Sequence, residues 1–367
     1  MHGSTFDGVL IDVRSLQGPG GGRGIGTYAR GLLGGLVEEG FDHEVGLLWD
    51  GSRPVPTVPP GKWRFVEVTR RRHGRWEAYE DELATAQDLA NIRPALYHAL
   101  HLTMPSTAPC PIAVTLHDLI PWALGGPRLW MEQIRYRPAR RRLKTADLVI
   151  AVSGATADDA VSLARVPDSR VQIIPEGVES VFAPAEGAAD RIMARWGVPQ
   201  PFLLNVGALD ARKDPRALVR AWRQTRSSHP ELSLVLAGDP GPQAPRDMPG
   251  HRLGVVDTKE LVDLLTAAAC LVFPSRYEGF GLPVLEAMAC ACPVVAYRNS
   301  SLPELLGEGG ILVQDGDSEA LADAVVELID SPSRAQEMGR LGLRRASEYT
   351  WSRTARMTVT AYRDLLR

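Results

Sequence analysis

The stretch 271–296, LVFPSRYEGFGLPVLEAMACACPVVA, constrains the fold more than any other part of this chain. Leu271, Val272 and Phe273 form one short apolar run, and Val294, Val295 and Ala296 form another. Neither alternates with polar residues, so each reads as a strand covered on both faces, as in a parallel sheet. The residues between them read as a loop and then a helix, with Pro283 suited to the first helical turn, where its missing N–H would be unpaired anyway. Gly279 and Gly281 let the backbone approach a ligand closely. They do so where a helix start offers free N–H groups and a partial positive charge. The chemistry favoured there is binding of an anion, most simply a phosphate.

Two carboxylates bracket that loop, Glu278 before it and Glu286 inside the helix. A carboxylate repels phosphate, so these two fit neutral hydroxyls better: a sugar on one side of a diphosphate and a ribose on the other. The competing explanation is that Glu286 complements the helix dipole and Glu278 is a solvated loop residue.

The rest of the chain repeats the same alternation. Apolar runs at 9–13, 112–116, 148–152, 202–206 and 234–237 read as strands, with helical patterns between them and a proline- and glycine-rich loop at 51–60. Strand–helix alternation in both halves predicts two doubly wound parallel-sheet domains facing a cleft. At 367 residues there is chain enough for both. A net charge of −3 argues against nucleic acid as a main partner, since such proteins usually carry a basic field. No apolar run approaches the roughly eighteen residues needed to span a bilayer. The N-terminal MHGSTFDGVLIDVR lacks the basic and apolar regions of a signal peptide, so a cytoplasmic protein is expected. The four cysteines, Cys110, Cys270, Cys290 and Cys292, have no zinc-ligand spacing and read as reduced thiols.

Two features point elsewhere. Gly24-Ile25-Gly26-Thr27-Tyr28-Ala29 fits the G-x-G-x-x-A dinucleotide fingerprint, and Asp50 follows a second apolar strand, where a ribose-binding acid would sit. Taken alone, they describe an NAD-dependent oxidoreductase. The surrounding loop also holds Gly20, Gly21 and Gly22, more than a turn requires. Basic runs at Arg70, Arg71, Arg72 and Arg75, and at Arg135, Arg137, Arg140, Arg141, Arg142 and Lys144, lie near Trp76 and Trp130. They are either solvated helix faces or a peripheral contact with an anionic membrane, at its inner face.

The segment EGFGLPVLE resembles the E-x7-E motif of the retaining glycosyltransferases of family 4, which have the GT-B fold. The resemblance is dense from about Phe202 to Leu312 and looser before. It implies an N-terminal acceptor-side domain over 1–182, a donor-binding domain over 200–350, and a terminal helix, 351–367, crossing back onto the first. Glu278 and the backbone of Gly279, Phe280, Gly281 and Leu282 would contact the donor sugar, and Glu286 the nucleotide ribose. HDLIP resembles the family segment whose histidine, here His117, contacts that sugar beside the reaction centre. IPEGV resembles the usual I-P-N-G-V, with Glu176 in the asparagine's place. VGALDARKD resembles the diphosphate-binding segment, so Gly207 would approach the phosphates while Arg212 and Lys213 neutralise them. Many members carry an arginine where this chain has Ala208. The backbone near Val256 would hold the base, and Gly24 and Gly26 would lie over the diphosphate and acceptor.

The expected activity is transfer of a sugar from a nucleoside-diphosphate donor, GDP-mannose as a first guess, to a hydroxyl of a glycan, glycolipid or small molecule. No metal or cofactor is expected, the nucleotide sugar being a co-substrate. The oxidoreductase, a sugar-nucleotide sensor without turnover and a sugar-nucleotide epimerase are the alternatives. The sequence does not fix the oligomeric state.

Overall fold

In the computed structural model, residues 7–18, 24–69, 77–102, 104–127, 129–239 and 248–367 are described. The chain falls into two compact units, Met1–Gly177 with Thr350–Arg367, and Val178–Tyr349.

The first unit is built on seven strands: β1 Val9–Asp12, β2 Val45–Asp50, β3 Arg64–Val68, β4 Leu96–Ala99, β5 Ile112–Leu116, β6 Leu148–Ala151 and β7 Val171–Ile173. Their order is β3-β2-β1-β4-β5-β6-β7, with every neighbouring pair parallel. The order reverses between β1 and β4, the kind of switch point where ligands collect in open α/β sheets. Each residue of β1, β4, β5 and β6 is buried, which is why those strands that were read from sequence appear as unbroken apolar runs.

The second unit has six strands: β8 Phe202–Val206, β9 Ser233–Ala237, β10 His251–Gly254, β11 Cys270–Phe273, β12 Val294–Tyr297 and β13 Ile311–Val313. All pair in parallel, in the order β10-β9-β8-β11-β12-β13. The switch point falls between β8 and β11. One face is covered by the helices Pro215–Ser228 and Ser318–Asp330, whose Leu218, Ala221 and Trp222 share a core with Leu321, Val325 and Leu328. The helix Thr258–Ala267 opens with a capping box formed by Asp257 and Glu260.

Several elements differ from the sequence expectation. The first helix, Gly24–Glu38, takes in the glycines of the Gly24–Ala29 fingerprint. A helix, Ala188–Trp196, precedes β8, where the sequence shows no apolar run. The edge strands β3, β7, β10 and β13, marked by no long apolar run, complete the sheets. Burial pushes the thiols of Cys270 and Cys290 up to about 12 and that of Cys292 well above its ordinary value, so these thiols stay protonated. Among the described residues no helix is long and apolar enough to cross a membrane.

Within the first unit, Gly24–Glu38 packs against the last helix, Trp351–Leu365, through glycines. A methyl group at Gly35 would overlap the Trp351 carbonyl and press on Ala355 Cβ, and one at Gly31 would overlap the Trp351 ring. Alanine has better helix propensity than glycine by about 1 kcal/mol, but the clash at Gly35 is with backbone that cannot rotate away. Gly35→Ala is therefore expected to destabilise the chain by roughly 1–3 kcal/mol, read as a lower urea midpoint.

Candidate functional site

The second unit gathers most of the expected site residues at the carboxyl ends of β8 and β11. Gly207 leaves β8 with φ +111° and donates its N–H to Ala237 O at 2.8 Å. Gly238, with φ +132°, packs so closely that a Cβ there would strike the Gly207 carbonyl. After this crossing the chain makes a tight turn, Ala211–Lys213, capped by Asp210, which accepts from Arg212 N at 3.0 Å and Lys213 N at 3.1 Å.

That turn sends Lys213 back under the loop. Its side chain is buried, with Nζ 3.2 Å from Val206 O and 4.8 Å from the centre of the Phe273 ring. Burial lowers the pKa of this ammonium, against the pull of Glu278, while Arg212 lowers it further and Asp210 and Glu286 oppose that. Arg212 turns its guanidinium to the next loop: Nη1 donates to Glu278 Oε1 at 2.5 Å, to Tyr277 O at 2.7 Å and to Ser275 Oγ at 3.1 Å. Ser275 Oγ in turn donates to Glu278 Oε1 at 2.7 Å. Burial alone would raise the Glu278 pKa, but the charges of Arg212 and Lys213 and these hydrogen bonds hold it below the ordinary carboxylate value.

The loop is held from its other side by residues that the sequence reading did not single out. Ser300 Oγ accepts from Glu278 N at 2.9 Å, and Ser301 Oγ donates to Glu278 O and Phe280 O at 3.0 and 2.8 Å. Asn299 Nδ2 donates to Ser275 O at 2.9 Å. Their only sequence signal is a polar R-N-S-S directly after an apolar strand. Gly281 is the one position in the loop that requires glycine, with φ +104° at the cap of the helix Leu282–Ala289; Gly279 has no left-handed φ. Phe280 is buried edge-on against Tyr349, with centroids 5.9 Å apart, and Leu282 is half-buried. Glu286 stands in the second turn of that helix, whose first turn holds no acid, so complementing the dipole does not explain it. Val256 is half-buried just past Gly254, whose carbonyl accepts from Gly238 N at 2.7 Å.

His117, Gly24 and Gly26 belong to the first unit. His117 follows β5, with Nδ1 3.2 Å from Glu176 Oε1 and Nε2 3.1 Å from Leu100 O, and Tyr28 meets its ring edge-on at 4.8 Å. Gly24 and Gly26 lie in the first turn of Gly24–Glu38. The expected glycines 20–22, arginines 70–75 and Trp76 lie outside the described residues. Asp50, the acid of the dinucleotide alternative, spends Oδ1 on its own turn, accepting from Ser52 N at 3.0 Å and Ser52 Oγ at 2.7 Å.

The basic helix Trp130–Arg142 buries none of its residues. Arg140 stacks on Trp122 and donates to Leu163 O at 2.6 Å, and Arg142 pairs with Glu82. Trp130, Met131 and Ile134 are exposed.

The family model for "Glycosyltransferase Family 4" matches residues 22–182, and that for "Glycosyl transferases group 1" matches 200–331. The alpha-maltose-1-phosphate synthase of Mycolicibacterium smegmatis is 35% identical over 289 residues, covering 69% of this chain and 72% of that protein. The chain belongs to glycosyltransferase family 4. This family-4 chain is also 24% identical to the serotype-specific mannosyltransferase WbdA of Escherichia coli, matching over 98% of its own length but spanning only about half, 48%, of that relative. Its fold is GT-B. Anabaena HepE, solved with UDP-glucose, superposes with a TM-score of 0.74 at 19% identity, over 97% of this chain and 99% of that one.

Removing the Glu278 charge from the family-4 chain would leave Arg212 and buried Lys213 without the carboxylate that offsets them most, Asp210 lying 3.8 Å from the guanidinium. Glu278→Gln is expected to cost about 3 kcal/mol of stability near neutral pH. A carboxylate with a lowered folded pKa stabilises above the ordinary unfolded value of about 4.3 and loses that contribution as pH falls through the folded pKa. Urea unfolding from pH 7 downward should therefore show the wild type and Glu278→Gln converging in acid.

Proposed function

We propose that this chain transfers a sugar from a nucleoside-diphosphate donor to an acceptor hydroxyl, with retention of configuration. The observation that carries this reading is the cluster of Lys213, Arg212 and Glu278 beside the glycine-capped start of Leu282–Ala289. Cleaving an anomeric bond puts positive charge on the sugar and negative charge on the departing diphosphate. Catalysis then asks for fixed charge and positioning more than for a nucleophile.

In this reading Lys213 and the free N–H groups at the helix start receive the diphosphate. Glu278 takes a sugar hydroxyl, with Arg212 holding it in place. Glu286 takes the ribose, His117 a further sugar hydroxyl, and the backbone near Val256 the base. Gly207, Gly24 and Gly26 permit close backbone approach. Positive charge from Arg212 and Lys213 meets the leaving group without a metal, and a phosphate oxygen accepts the acceptor's proton on the same face. No second acid paired with Glu278 is needed, unlike the glycosidase arrangement. The relative WbdA, a mannosyltransferase by name, supports mannose as the sugar, GDP is taken as the first carrier to try, and the acceptor is a glycan, glycolipid or small molecule. Exposed Trp130, Met131 and Ile134 beside Arg135, Arg137 and Arg141 support a peripheral contact with anionic lipid.

A binding panel of GDP-, UDP-, ADP- and dTDP-sugars with NAD and NADP tests the function. One sugar nucleotide should bind, and Glu286→Ala or Lys213→Ala should weaken it at least about tenfold, a loss of roughly 1.4 kcal/mol. Binding of NAD or NADP alone, indifferent to both substitutions, would replace this reading with the oxidoreductase. The lipid contact has its own check. Sedimentation with phosphatidylglycerol vesicles, but not phosphatidylcholine vesicles, should be lost in Trp130→Ser/Ile134→Ser.

A further inference from the structure

Glu176 replaces the asparagine of the usual I-P-N-G-V segment, and sugar transfer as described gives it no task. Its side chain is 4% exposed. Oε1 lies 3.2 Å from His117 Nδ1, while Oε2 is buried with no hydrogen-bond partner. A carboxylate buried with one oxygen unsatisfied costs free energy, and the bond from His117 is what offsets it.

The histidine is equally constrained. Its Nε2 lies 3.1 Å from Leu100 O, its ring meets the Tyr28 ring edge-on, and Thr156 Oγ1 donates to its own carbonyl at 3.4 Å. Glu176 and the Leu100 carbonyl are both acceptors, so the ring is fully bonded only when both its nitrogens carry hydrogen. Among the described residues of this unit, the other titratable groups around it are His98, His101, Tyr28 and its chain neighbour Asp118, whose Oδ1 accepts from Ile120 N at 3.1 Å. His98 is locked between Tyr362 Oη at 2.6 Å and Thr115 Oγ1 at 2.8 Å, and burial pushes it down to about 3. Burial also lowers His101 and raises Tyr28, so both stay neutral. Among these groups, Glu176 is the acid in hydrogen-bond contact with the imidazole.

We propose that Glu176 is a positioning residue: it holds His117 Nδ1 as the hydrogen donor and fixes the ring plane, so that Nε2, which faces the Leu100 carbonyl at 3.1 Å, is the ring atom that would exchange that acceptor for a substrate hydroxyl. Which nitrogen of a histidine faces the chemistry is set by what the other one bonds. Asparagine, one methylene shorter, would not reach Nδ1 with the same geometry, so this arrangement is particular to a chain with glutamate here. The inference rests on the reading of His117 at the donor sugar.

The test uses the full chain labelled with 15N-histidine, the His117 ring signals being assigned by their loss in His117→Gln. Nδ1 is expected to carry a hydrogen-bonded proton in the wild type. In Glu176→Gln that proton signal should shift or vanish while the other histidines are unmoved, and Glu176→Asp should fall between. Turnover, followed as diphosphate release with GDP-mannose as the first donor probe and then with whichever donor the panel selects, should drop about tenfold in kcat for Glu176→Gln with donor KM nearly unchanged. A wild-type Nδ1 without a proton overturns the proposal outright, even if Glu176→Gln fails to fold. So does a His117 spectrum or a kcat that Glu176→Gln leaves unchanged while His117→Gln is inactive. If His117→Gln itself turns over normally, the reading of His117 fails, and that failure is distinct because the spectra still report the hydrogen bond.

Discussion

Two cations are held against one half-buried carboxylate at the carboxyl ends of β8 and β11, and the shape of the loops after those strands depends on that cluster. Lys213 is 7% exposed, and a lone ammonium at that depth would lose its hydration for little in return. Glu278 would be in the same position without Arg212 and Ser275. Each charge is tolerable because the others are present, so the loop after β8 and the loop after β11 form as one object. Two further links join them: Arg276 N donates to Arg212 O at 2.9 Å, and Arg276 Nη2 donates to Asp214 Oδ2 at 2.8 Å. An anion arriving beside Lys213 meets donors already oriented, which is how a fixed polar site stabilises developing charge more effectively than water does.

Close backbone packing makes this compactness feasible. A side chain at Gly207 would occupy the place of Lys213 Nζ, and one at Gly238 would push against the Gly207 carbonyl. Both residues also have positive φ, which a β-carbon strains. Lys213 can therefore lie beneath the end of its own strand because two glycines leave the volume empty.

How much of this was legible in the sequence follows from how local each interaction is. Strands β1, β5, β6, β8, β11 and β12 were readable because burial on both faces leaves an apolar run. Strand β10, His251–Gly254, has no fully buried residue, and β3 exposes Phe65, so neither leaves such a run. Glu278, Gly281 and Glu286 lie within nine residues of one another, and their spacing on a loop and a helix carried the signal. Asn299, Ser300 and Ser301 reach the same loop only because β12 lies beside β11, a fact of strand order that no local pattern encodes. Glu176 was visible as a departure from a motif, but its partner His117 is 59 residues away, so its meaning required the fold. The glycine fingerprint at 24–29 shows the reverse case. The pattern was present, yet Asp50, its expected partner, is bonded into its own turn.

The replacement of arginine by Ala208 bears on how the two remaining cations divide their work. Arg212 Nη1 makes three hydrogen bonds to the 275–278 segment, so its guanidinium serves first to hold Glu278. Lys213 has three donor hydrogens, and among the described residues its ammonium makes one hydrogen bond, to Val206 O. Under the proposed function, its unused donors and its position over the Phe273 face would make it the cation that receives an anion. Binding that anion would also offset the desolvation that lowers its pKa, so ligand and proton favour one another at this residue. A planar, forked guanidinium suits the fixed carboxylate, and a compact point charge suits a group that must be received and then released.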